Sequence, residues 1–139
     1  MEIRRIHDMF SVAGQIDAGD VQAIVEAGFK SILCNRPDNE GMNQPEFASV
    51  EAAAKQAGIQ IIYQPVISSA IRDMDIDDFA QAYEALPKPV LAYCRTGTRC
   101  TALWSLSQAG ERDLEEILKM AADAGYNMAG LAGRIADRT

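Results

Sequence analysis

Short apolar runs alternate along this chain with stretches whose apolar positions recur every third or fourth residue, the marks of buried strands and one-sided helices. Residues 10–16 read as a short strand broken at Gly14. Asp17, with Asp20 three residues on, predicts a helix start; Val21, Ile24 and Val25 form its inward stripe, and Gly28 ends it. Residues 29–34 are a compact apolar strand followed by the polar loop 35–41. The alanine-rich stretch 45–57 predicts a helix stopped by Gly58, and residues 59–66, rich in β-branched side chains, the next strand. A loop over 67–74 leads into a helix over 75–86, where Ile76, Phe79, Ala80 and Tyr83 share helical spacing. Pro87-Lys88-Pro89 ends it, and Val90-Leu91-Ala92-Tyr93 form a strand. Helices follow over 98–109 and 113–124, the second with Asp113 and Glu116 as a capping pair and Gly125 as its stop. The tail 126–139 reads as one weak helix containing Gly130 and Gly133.

Strands that alternate with helices predict an α/β fold, a mainly parallel sheet flanked by helices on both faces. Chemistry in such folds collects where strands end and loops turn into helices. Three of these ends carry polar residues: 35–40, 68–75 and 94–99. A length of 139 residues suits a single domain spanning 1–139. There is neither a long uncharged apolar run nor a secretory-type N-terminal stretch, so the expectation is a cytoplasmic protein with no membrane span. A net charge of −7 argues against a broad nucleic-acid surface. An acidic chain that still places Arg95 and Arg99 in one loop suits a small anion or an exposed anionic group.

That loop carries the densest chemistry. In Tyr93-Cys94-Arg95-Thr96-Gly97-Thr98-Arg99, a cysteine closes an apolar strand and a tight Gly-containing turn opens a helix. Such a turn directs several backbone N–H groups inward, and the helix adds its positive end. A thiol in that field ionises easily. The same N–H groups, over Arg95, Thr96, Gly97 and Thr98, with the Arg99 guanidinium, would hold a tetrahedral oxyanion over the sulfur. The only histidine, His7, is remote in sequence, which disfavours a His-assisted triad and leaves it a surface or strand-edge residue. Cys34, Cys94 and Cys100 contain no Cys-x-x-Cys, so neither a structural zinc nor another metal or cofactor is expected.

Several stretches together resemble a bacterial family related to dual-specificity and tyrosine protein phosphatases, the beta-lactamase-hydrolase-like or DUF442 group. They are residues 11–16 (Ser-Val-Ala-Gly-Gln-Ile), 35–40 (Asn-Arg-Pro-Asp-Asn-Glu), Gln64-Pro65-Val66, Cys94 to Arg99 with Leu103-Trp104, and Ala124-Gly125-Tyr126 with Gly130-Leu131. The resemblance implies a cysteine-phosphatase-like fold of the phosphotyrosine phosphatase II type, Cys94 as nucleophile and Arg99 as the oxyanion-binding arginine. The substrate would be a phosphorylated small molecule or protein side chain. Two departures stand out. Tyr93 occupies the place where those phosphatases carry His, and four rather than five residues separate Cys94 from Arg99. Cys100 stands where a Ser or Thr usually helps the sulfur depart, with Thr101 adjacent.

The leaving oxygen of a phosphoester wants a proton donor, normally an Asp on a neighbouring strand-to-helix loop. Asp73 is the first choice and Asp38 the reserve; Asp75 competes as a helix cap with Asp78. Cys34 ends a strand that could adjoin the Cys94 strand, which raises a possible redox partnership with Cys94; Cys100 is expected to point into the helix packing. The short loop is also similar to that of single-domain rhodaneses, so a sulfurtransferase carrying a Cys94 persulfide from a sulfane sulfur donor stays open. A non-catalytic anion-binding regulatory module is the third reading.

Overall fold

The computed structural model describes all 139 residues and contains one five-stranded sheet. In chain order the elements are β1 (Ile3–His7), β2 (Phe10–Ala13), α1 (Val21–Glu26), β3 (Ser31–Cys34), α2 (Phe47–Ala57), β4 (Gln60–Tyr63), α3 (Asp73–Ala85), β5 (Val90–Tyr93), α4 (Thr98–Ser107), α5 (Leu114–Asp123) and α6 (Ala132–Asp137). The strand order is β1-β2-β5-β3-β4, parallel throughout except for β1, which pairs antiparallel with β2. The expected α/β architecture is therefore present, with β5 at the centre.

Every residue of β5 is buried, because helices cover both faces of the sheet. Val90 and Ala92 face one core with Phe10, Val12, Phe79, Leu103, Trp104 and Ile117, under α3 to α6. Leu91 and Tyr93 face the other, with Ile16, Ile24, Ile32, Val50 and Ala54, under α1 and α2. Phe10 and Trp104 stack with ring centroids 6.3 Å apart, while Phe79 and Tyr83 meet Phe10 edge-on. All parallel strands end on one side, so the three polar loops of the sequence converge there.

The differences from the sequence reading have local causes. β1 was not expected, since Ile3-Arg4-Arg5-Ile6-His7 does not alternate; its register shifts between Arg5 and His7. His7 lies in that edge strand, half-buried near Trp104, and burial together with nearby Arg112 and Arg5 lowers its pKa. Asp17 and Asp20 do form a reciprocal capping box, over a 3-10 turn that leads into α1. Asp113 precedes α5 without capping it, and Glu116 instead accepts a bond of 2.8 Å from Arg112. The tail is a short 3-10 turn followed by α6. α3 starts at Asp73, two residues earlier than expected, because Asp75 accepts from the Arg72 N–H at 2.9 Å and turns that segment into the helix.

Candidate active site

Cys94 leaves the carboxyl end of β5 and sits at the floor of the loop that enters α4, 1% exposed. The Gly97 N–H donates to its Sγ at 3.1 Å. Gly97 has φ +87°, which glycine adopts without strain, and a Cβ there would run into the Tyr126 hydroxyl. Alanine at 97 is thus excluded twice, by backbone conformation and by space. Thr101, one turn into α4, accepts no role at the sulfur; its Oγ1 donates to the Gly97 carbonyl at 2.8 Å. The fully buried Cys100 packs in the same core, and its thiol favours the charged form of the sulfur. Cys100 thus lies in the helix packing, as expected, at the position after Arg99.

These donors set the ionisation of both thiols. The Cys100 thiol, followed by the N–H groups of Cys100, Thr96 and Gly97, draws the Cys94 pKa down to about 5 against the opposing effect of burial. The direction of that shift favours the charged form of the sulfur. Burial and the adjacent anion push the Cys100 thiol well above its ordinary value, so it remains a donor. Cys34 behaves differently. It emerges from the opposite face of the sheet, in register with Tyr93, and burial raises its pKa to about 11. Cys34 packs in the core under α1 and α2 and its Sγ donates to the Arg36 carbonyl at 3.4 Å, whereas Cys94 belongs to the other core.

Arg99 is buried, and its guanidinium is held on several sides. Nη1 donates to the carbonyls of Val66 at 2.9 Å and Asn35 at 3.3 Å, and Nη2 donates to Glu40 Oε1 at 2.8 Å. Its Nε–H is buried with no partner in the protein. A buried N–H without a bond is costly unless something polar fills the place. Glu40 Oε1 also accepts from Arg36 Nε at 3.1 Å, and Arg36 Nη1 reaches Gln15 Oε1 at 3.0 Å. One carboxylate oxygen thus ties two arginines, and the chain of bonds links the loops after β2 and β3 to the first turn of α4. The Arg99 bond leads the causes that hold the Glu40 carboxyl below the usual carboxylate range. Gly14 completes the join: a Cβ there would lie 3.0 Å from the Arg95 carbonyl, and the Gln15 N–H donates to that carbonyl at 3.3 Å.

The remaining loop residues divide by exposure. Arg95, Thr96 and Thr98 face solvent, the two threonine hydroxyls 3.0 Å apart, and the Arg95 side chain makes no ion pair. Asp73 makes no hydrogen bond to the cysteine loop. It is the first residue of α3, exposed, and its Oδ1 accepts from Arg134 and Arg138 of the C-terminal segment, each at 3.2 Å. Asp75 is held by Arg72, and Asp38 Oδ1 accepts the Phe47 N–H at 2.8 Å, which anchors the start of α2. Glu40, Arg36, Gln15 and Tyr126 form the support that residue-by-residue reasoning missed. All four lie in the stretches that carried the family resemblance, which marked their segments without revealing their contacts.

A cysteine sulfur under a backbone N–H at the end of the central parallel strand, a buried arginine in the helix that follows, and this sheet order define the class of cysteine-phosphatase-like α/β domains. The family described as beta-lactamase hydrolase-like protein, phosphatase-like domain, matches residues 2–111, and the chain belongs to that family. A beta-lactamase hydrolase-like protein of Xylella fastidiosa (strain Temecula1) is 31% identical over 130 residues, covering 92% of this chain and 30% of that protein. The chain thus spans 25–30% of the length of the curated relatives it matches. A crystal structure of a candidate phosphatase from Neisseria meningitidis Z2491 is 36% identical, with a TM-score of 0.89 and coverage of 100% of this chain and 99% of that one. The fold is also that of PTPMT1, at 13% identity, a TM-score of 0.71 and coverage of 99% and 98%. No helix is long and apolar enough to cross a membrane.

Proposed function

We propose that this domain hydrolyses phosphomonoesters through a phosphocysteine at Cys94. One observation carries the reading. The Cys94 sulfur accepts the Gly97 N–H at 3.1 Å, and the helix that its loop opens carries Arg99, whose Nε–H is buried and unpartnered. The thiolate attacks phosphorus in line; an S–P bond forms as the P–O bond to the leaving group breaks, and that oxygen departs with the electron pair. The loop N–H groups and Arg99 Nε–H stabilise charge on the transferring oxygens, the electrostatic part of catalysis. Water then attacks phosphorus, releasing phosphate and restoring the thiolate. The Cys100 thiol makes the sulfur a better leaving group in this second step.

With the Asp73 carboxylate turned to Arg134 and Arg138, the first leaving oxygen takes its proton from water. This favours leaving groups of low basicity, such as phenols. The same cradle suits a sulfane sulfur, and the four residues between Cys94 and Arg99 favour a compact group. The two chemistries part in a paired assay, an aryl phosphate in one arm and thiosulfate with cyanide in the other. Phosphate release that falls at least about 10³-fold in Cys94→Ser supports hydrolysis. Thiocyanate formation alone assigns sulfur transfer, and silence in both arms assigns an anion-binding module.

A further inference from the structure

We infer that Tyr126 is a positioning residue for the Cys94 thiolate, acting through a single peptide unit, that of Thr96 and Gly97. Its hydroxyl donates to the Thr96 carbonyl at 3.0 Å, and the N–H of the same unit, on Gly97, donates to Cys94 Sγ at 3.1 Å. In a trans peptide the C=O and the next N–H point in opposite directions, so a donor on the oxygen fixes where the N–H aims. Withdrawing electron density at the carbonyl also strengthens the N–H as a donor, the cooperativity of hydrogen bonds in series.

Tyr126 is itself fixed for this task. It is buried, follows the Gly125 turn at the end of α5, and lies under the Arg4 guanidinium, 5.8 Å from the ring centroid; Arg4 Nη1 donates to Ala124 O at 3.1 Å. The fit is close enough that Gly97 must lack a side chain for the hydroxyl to reach the loop. The groups bearing on Cys94 are Cys100 and the N–H groups of Cys100, Thr96 and Gly97, with Cys34 of β3 in electrostatic reach of it; Arg99 bears on Cys100, and Arg4 and Glu2 of the N-terminal segment face the phenol. The residue lies outside residues 2–111, so the support for the loop comes from the segment after the family match.

The inference rests on Cys94 being the thiolate of the proposed reaction, and its test needs no substrate. Iodoacetamide alkylation of the Cys94 peptide is followed across pH in wild type, Tyr126→Phe and Arg4→Met. Removing the hydroxyl is expected to raise the Cys94 titration midpoint by about half a pH unit or more. Arg4→Met, which leaves the hydroxyl in place, lowers the thermal midpoint with no comparable shift. Should Tyr126→Phe not fold, 3-fluorotyrosine at position 126, a stronger donor, is expected to move the midpoint down. An unmoved midpoint in a folded Tyr126→Phe protein, or in the fluorinated one, overturns the inference. A wild-type midpoint in the ordinary thiol range would instead overturn the reading of Cys94 itself.

Discussion

At Arg99 the guanidinium is fixed by the Asn35 and Val66 carbonyls and by Glu40, and only the last can be removed by substitution. Glu40→Gln keeps the size and loses the charge that ties Arg99 to Arg36. A displaced oxyanion donor lowers kcat/KM for an aryl phosphate by about 10- to 100-fold, measured against wild type at one pH. The same carboxyl gives a stability signature. Its folded pKa lies below the unfolded value near 4.5, so its contribution is fully present above that pH and lost as the pH falls through the lower folded value. The difference in Tm between wild type and Glu40→Gln therefore narrows as the pH drops below about 4.5. Glu40 was invisible as a functional residue in the sequence, because its position after Pro37, Asp38 and Asn39 equally describes a polar turn.

Among the elements, the start of α3 decides how the leaving group is served. The expectation placed Asp73 in a loop facing the anion site, but the bonds from Arg72 to Asp75 draw the helix start back and aim Asp73 at the C-terminal arginines. Asp73→Asn is accordingly expected to leave turnover of an aryl phosphate within about twofold, with the basic side of its pH profile unchanged. It loosens the C-terminal helix by less than about 1 kcal/mol, as exposed pairs do, and the measurement is amide exchange in α6. A large kcat loss with a missing basic limb would restore Asp73 as the acid. Strand and helix order was legible because glycines, prolines and apolar spacing mark each boundary. Side-chain direction at the helix start was not, since it depends on arginines some sixty residues away.

Across the whole molecule, two apolar layers share β5, and that strand carries the cysteine. Leu91 is fully buried toward α1 and α2, so Leu91→Ala costs about 2–5 kcal/mol in a denaturant titration and lowers the midpoints of both layers together. The parallel sheet and the cysteine loop could be read from sequence because each follows from contiguous residues. The braces on the cradle come from four separate segments, and only folding shows which side chains meet. The account stands on a phosphoryl group resting on one sulfur. Enzyme mixed with an aryl phosphate, quenched in acid within a turnover and mapped by peptide mass, should carry that group on the Cys94 peptide, and lose it in Cys94→Ser. Turnover with the phosphate found on another residue, or with Cys94 recovered unmodified at every quench time while Cys94→Ser remains active, would contradict it.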